Sequence, residues 1–237
     1  ILDLGLVRFK LYYILILYYI MRVALIFGGL MTNPKDNNNR CYIEPCYLHY
    51  KKHLFNCNKS HDIDIYIHLW SNNVDSKKEQ DKIKLINDLY KPTKIIVQTN
   101  EESNNFVSKF KSNQNGFNLI SDQSYDLCFF SRLDIIINRD INFEKYDKQE
   151  IYHNDGMPTQ GGHFGDFYFI LNFENSKHFS NLYDKIQNKS NEQWTEQKWR
   201  DEYIPILESH LLEVGKINND LRAGSYKEVE VYRKFRF

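Results

Sequence analysis

Five places along the chain combine residue types that can do chemistry. The first is Tyr125–Asp134, YDLCFFSRLD, where an apolar run breaks off into Arg132 and Asp134. A carboxylate at such a place can take a divalent cation, because hard cations want oxygen ligands and share them with substrate phosphates. An arginine there can grip a phosphate or carboxylate through two parallel N–H bonds. The same pair also suits a plain ion pair at a strand end, and the residues alone leave both readings open. The second is Phe27-Gly28-Gly29, where missing side chains let a ligand approach the backbone or simply permit a turn. It is neither a G-x-G-x-x-G fingerprint nor a P-loop. The third is His68-Leu69-Trp70-Ser71: Trp70 can cover a base or sugar face and His68 can hydrogen-bond a ligand, or both can be core residues. The fourth is the glycine-rich stretch Gly161–Asp166, in which Asp166 at the mouth of a strand suits acceptor binding or metal support and His163 could serve the same site, beside the plain alternative of a solvated hairpin loop. The fifth is Glu208, with His210 beside it, a candidate general base.

Other chemistries fit poorly. There is no G-x-S-x-G elbow, no H-E-x-x-H and no C-x-x-C pair. His49 and His53, four apart, suit a metal but lack a third ligand nearby in sequence and read as surface residues.

The elements that must position these residues alternate between strand and helix. Apolar or alternating runs predict strands at 22–27, with Gly28-Gly29 as the turn that stops the first, and at 62–69, 94–98 and 125–131. Helical spacing predicts helices at 40–56, 75–90 and 101–111. Further on, 150–152 and 166–172 read as strands and 157–165 as a loop. Residues 176–187 read as a helix with Ser176 as N-cap. Residues 194–214 read as helical, interrupted near Pro205, with Gly215 as C-cap, and 227–232 as a closing strand. Strand–helix units of this spacing imply a largely parallel sheet with helices on both faces.

Taken in order, RVALIFGGL, DIDIYIHLWS, KPTKIIVQT, YDLCFFSRLD, GDFYFILN and ILESHLLEVGKI resemble a family of small GT-A-type glycosyltransferases and glycosyltransferase-like proteins of bacterial polysaccharide loci and large DNA viruses. The resemblance covers roughly residues 21–220, and its most specific parts are the I-H-x-W and R-x-D strand ends. It implies an α/β, GT-A-like (Rossmann-like) fold, with a mixed, mostly parallel sheet flanked by helices in a single domain over 21–237. It also implies a nucleotide-sugar donor over the parallel half of the sheet and transfer to a glycan or lipid-linked glycan hydroxyl. Phe27, Gly28 and Gly29 would line the nucleoside pocket, with His68 and Trp70 on the donor. Arg132 would neutralise the diphosphate. Asp134 would contact a divalent metal, Mn²⁺ or Mg²⁺, or the ribose-phosphate. Asp166, His163 and Glu208 are the candidates that would deprotonate the acceptor. Two departures stand out: no arginine follows the first strand until Arg40, and Arg132 stands where a D-x-D signature has its first acid. A catalytically inactive binding protein of the same fold is therefore the alternative.

Composition narrows the classes. Over 237 residues, 31 Lys and Arg balance 31 Asp and Glu, with 42% hydrophobic residues. That excludes a polybasic nucleic-acid coat and supports one sizeable core. Cysteines at 41, 46, 57 and 128 form no disulfide pattern and suit a reduced cytoplasmic setting. Residues 1–20 hold the apolar run Leu11–Ile20, half the roughly twenty residues of a membrane span. They are expected to lie outside the fold, as an upstream extension of the reading frame before Met21 or as a short interfacial anchor.

Overall fold

The structure is a computed structural model that describes residues 20–30, 43–71, 73–100, 102, 104–120, 124–153, 168–189, 192, 195–213, 216–219 and 229–231. The expectations for residues 1–19, for the loop at 157–165 and for Gly215 lie outside that set.

Four parallel strands carry the first half: β1 (Arg22–Leu30), β2 (Asp62–Ser71), β3 (Lys94–Thr99) and β4 (Leu127–Ser131). Between them run α1 (Ile43–Tyr50), α2 (Lys77–Tyr90) and α3 (Asn105–Phe117). β5 (Ile135–Ile137), β6 (Glu150–His153) and β7 (Phe169–Leu171) follow. Then come α4 (Phe173–Ser180), α5 (Leu182–Ile186), α6 (Glu196–Lys198) and α7 (Ile204–Leu212), and finally β8 (Lys216–Asn219) and β9 (Val229–Val231). The main sheet has seven strands in the order β3-β2-β1-β4-β7-β6-β8. β7 runs antiparallel to both β4 and β6, and the other pairings are parallel. This is the mixed, mostly parallel sheet expected. The closing strand expected at 227–232 is present as β9, which pairs antiparallel with β5 in a separate two-stranded sheet.

Residues Val23–Phe27 are wholly buried because both faces of β1 are covered. On one face Leu25 and Phe27 meet Tyr50 of α1 and Ile86 and Tyr90 of α2. On the other, Ala24 and Ile26 meet Phe110 of α3, Phe179 of α4 and Leu207 of α7. Helix starts are set by local chemistry. The Ser76 hydroxyl accepts the Glu79 amide at the head of α2, and Asn104 caps α3 by accepting the Phe106 and Val107 amides.

Several boundaries move. Gly28 and Gly29 form no turn, because β1 runs through them to Leu30. α3 starts and ends later than expected, its last turns being the polar run Ser112–Gly116. α4 is capped by Asn172 rather than Ser176, and the expected single helix breaks at Asn181. The helical run expected over 194–214 is observed from Glu196 to Leu212, with a π-turn at Trp199–Tyr203 just before Pro205. His53 is no surface residue: it is 8% exposed, with Nδ1 2.8 Å from Asp140. Among the described residues no helix is long and apolar enough to cross a membrane.

Candidate functional site at the carboxyl edge of the sheet

β1 lies between β2 and β4, and the chain leaves it in opposite directions. α1 and α2 cover one face on the way to β2 and β3, and α3 covers the other on the way to β4. Such a switch point opens a crevice beyond the carboxyl ends of its two strands, where open α/β sheets bind ligands. β1 ends there in Gly28-Gly29-Leu30 and β4 in Ser131, followed by Arg132 and Asp134. The register pairs Phe27 with Ser131 across β1 and β4, and Gly28 with His68 and Leu30 with Trp70 across β1 and β2.

Arg132 binds Asp134 through two parallel bonds. Its Nε–H donates to Oδ1 at 2.8 Å and Nη2–H to Oδ2 at 2.7 Å. The Asp134 side chain is 8% exposed and the Arg132 side chain 22%. The backbone beneath them is fixed from α1. The Tyr50 hydroxyl donates to the Arg132 carbonyl at 2.6 Å and accepts from Ser131 Oγ at 2.8 Å. Burial pushes the Tyr50 hydroxyl well above its usual range, so it stays protonated as that donor. Gly29 has φ +130, a conformation that side chains rarely adopt, and a Cβ there would meet the Arg132 side chain at 3.9 Å. Phe27 is wholly buried and packs edge-on against Tyr50 and Tyr90.

Gly28, His68 and Trp70 lie on the other face, under α3. A Cβ on Gly28 would come within 3.0 Å of Ser112 Oγ and 3.1 Å of Asn113 Oδ1, so the glycine admits the helix. The Gly29 amide donates to Ser112 Oγ at 2.9 Å. His68 is fully buried, with Nδ1 2.8 Å from Ser112 Oγ and Nε2 2.9 Å from Gln98 Oε1. Burial pulls its pKa down, so the ring is neutral. The Ser112 hydroxyl donates to the His68 carbonyl at 3.1 Å, and His68 Nε2 also lies 3.1 Å from Asn115 Nδ2. The Trp70 indole N–H donates to the Ser108 carbonyl at 2.9 Å. Beside α3 these side chains border a cleft of about 830 Å³, lined also by Thr99, Lys111 and Asn115. Its size suits a small molecule, and its wall offers amides, a cation and an indole.

The expected residues thus gather along one sheet edge but on two faces: Gly29, Arg132 and Asp134 toward α1, and Gly28, His68 and Trp70 toward α3. His163 and Asp166 lie outside the described residues. The segment that holds them leaves β6 at His153 and returns at Phe169, which pairs with Phe130 near the carboxyl end of β4. Glu208 lies on α7, and its side chain is outside the description. Sequence reasoning missed Tyr50, Ser112, Gln98 and Lys111. Ser112 and Lys111 belong to a polar stripe on α3, Ser108, Lys111, Ser112 and Asn115, at helical spacing, whereas nothing in the sequence marks Tyr50 or Gln98.

As described, Asp134 does not fit a divalent cation, because both of its oxygens already face the Arg132 guanidinium. A hard cation would have to displace that contact.

These features define the class: an open α/β protein whose strand order reverses direction at β1. No family model and no curated protein sequence matches the chain. Among solved structures it is similar to the apo form of the glycosyltransferase GlyE of Streptococcus pneumoniae TIGR4. The TM-score is 0.46 and the identity 10%, over 85% of this chain and 45% of that one. A second GlyE structure gives a TM-score of 0.45 and 13% identity over the same shares. A glycosyltransferase involved in the glycosylation of the major capsid of PBCV-1 gives 0.41 and 8%, over 85% of this chain and 82% of that one. The chain spans less than half of GlyE. At these scores and identities the likeness assigns neither a family nor an activity.

Proposed function

We propose that the protein is a nucleotide-sugar-dependent glycosyltransferase that moves a hexosyl group to a hydroxyl of a glycan or lipid-linked glycan. The observation that carries this reading is the oriented Arg132 guanidinium at the switch-point crevice, beside the side-chain-free edge of β1. Loss of a nucleoside diphosphate builds negative charge on the leaving oxygen, and a fixed cation aimed at that charge stabilises the transition state without reorganising. Asp134 holds the cation, and Tyr50 fixes the backbone that carries it. The cleft under Trp70 offers a surface for the base or sugar. The acceptor hydroxyl must lose a proton, and Asp166, His163 and Glu208 remain the candidates for that base.

A second reading has a specific observation behind it. Both Asp134 oxygens are engaged by Arg132, which suits a protein that binds a diphosphate and turns nothing over.

Both readings require diphosphate binding at Arg132. Titration calorimetry with UDP and GDP, with and without Mn²⁺, is expected to show binding to the wild type that weakens at least about tenfold in Arg132→Ala, the cost of losing a bidentate charged contact. Binding unchanged by Arg132→Ala refutes the assignment.

A further inference from the structure

We propose that the C-terminal ends of α4 and α7 form a Zn²⁺ site, with His178, His210 and Glu213 as its protein ligands. The inference rests on neither reading of the crevice. One nitrogen or oxygen from each of the three residues lies within 4.8 Å of the others. The two imidazoles stack with centroids 4.0 Å apart and planes 18° from parallel. Each ring reaches across to the other helix: His210 Nε2 lies 2.8 Å from the His178 carbonyl oxygen, and His178 Nε2 2.8 Å from the His210 carbonyl oxygen. Glu213 Oε2 closes the group, 3.3 Å from His178 Nε2 and 4.0 Å from His210 Nδ1.

The decisive atom is His210 Nδ1. His210 is 2% exposed, and its Nδ1 is buried with no hydrogen-bond partner. Since Nε2 must carry the proton it donates to the His178 carbonyl, Nδ1 presents a bare lone pair. Glu213 Oε2 lies 4.0 Å from it, so two electron-rich atoms stand near each other with no proton shared between them. A cation of about 2 Å bond length to nitrogen and oxygen satisfies both. A ring N–H given to a backbone carbonyl is also the contact that fixes the tautomer of metal-binding histidines.

Two nitrogens and one carboxylate oxygen suit Zn²⁺ and not Mg²⁺, which prefers oxygen. Three protein ligands leave a fourth position for water. To join, His178 moves its proton from Nε2 to Nδ1 and turns that nitrogen from the carbonyl to the ion. Lys185, now 2.9 and 3.0 Å from the two Glu213 oxygens and 46% exposed, moves aside into water. The ion fastens α7 to α4.

The test uses the full chain without an affinity tag, stripped with EDTA and desalted, and titrated with Zn²⁺ against a chromophoric chelator. The wild type is expected to take up one equivalent and to ignore Mg²⁺. Co²⁺ is expected to give visible d–d bands. His210→Asn and Glu213→Gln are expected to weaken Zn²⁺ at least about tenfold. Because Glu213 is on the surface, Glu213→Gln is expected to melt like the wild type in EDTA while losing the Zn²⁺-induced rise in melting temperature. Cys57→Ser, which removes a thiol elsewhere, keeps the binding. A wild type that binds no Zn²⁺, or variants at His210 and Glu213 that bind it as well as the wild type, would overturn the proposal.

Discussion

Arg132 and Asp134 were legible as chemistry from their types and spacing, and so was their alternative as an ion pair. Which of their groups face each other was not legible, nor was the Tyr50 hydroxyl that pins the Arg132 backbone from 82 positions away. His68 shows the same limit. Its place at a strand end could be read, but its partners Ser112 and Gln98 stand 44 and 30 positions off. Its burial has a consequence in pH. The folded pKa lies below the ordinary 6.5, so the unfolded chain takes up a proton that the folded ring refuses. Stability is complete above pH 6.5 and falls below it, by at most about 1.4 kcal/mol per pH unit, until the folded ring also protonates. His210 adds a decline of the same sign. Urea unfolding in EDTA between neutral and mildly acidic pH is expected to show a shallower decline in His68→Gln than in the wild type. The substitution itself costs about 1–3 kcal/mol at neutral pH, because it strands buried partners. Equal slopes would mean that His68 is not held neutral.

The elements were readable wherever apolar residues set the period. β1, β2, β3 and α2 fall close to their expected bounds, because each shows one face or both to the core. The misses share a cause. α3 runs on through Ser112–Gly116, where small and polar residues face the sheet edge and the cleft, so hydrophobic periodicity is silent. Gly28 and Gly29 signalled a turn, yet they sit in an extended strand that needs room for a helix on one side and Arg132 on the other. Gly116 completes that fit, since a Cβ on it would lie 2.6 Å from Ile26 Cγ2. Gly116→Ala therefore forces α3 off the sheet and is expected to cost about 1–3 kcal/mol in urea unfolding, although alanine is the better helix former. A stabilised Gly116→Ala would contradict this packing.

At the scale of the molecule, alternation of strand and helix announced a parallel sheet, but not which strands are neighbours. The order that places β1 between β2 and β4 makes the crevice, and it depends on contacts more than a hundred residues apart. The Arg22 amide donates to Asp126 at 2.8 Å, for example. The later strands were harder. β8 is four residues without an alternating pattern and takes its place only by pairing with β6. Burial on both faces makes β1 and β4 the expected slowest-exchanging strands in native hydrogen exchange, with β3 faster at its edge. Phe130, packed on Phe117 and Phe179, is a central strut. Phe130→Ala is expected to cost about 3–5 kcal/mol in urea unfolding.

The account turns on whether the crevice carries out sugar transfer. The most direct measurement is a sugar-nucleotide turnover screen, run with Mn²⁺ and again with EDTA, on the wild type and on Asp134→Ala. The expected result is donor turnover by the wild type that persists in EDTA and falls about a hundredfold in Asp134→Ala, because the Arg132 guanidinium is then no longer held in place to stabilise the leaving group. A wild type that turns over no donor, or an Asp134→Ala variant with full activity, would contradict it.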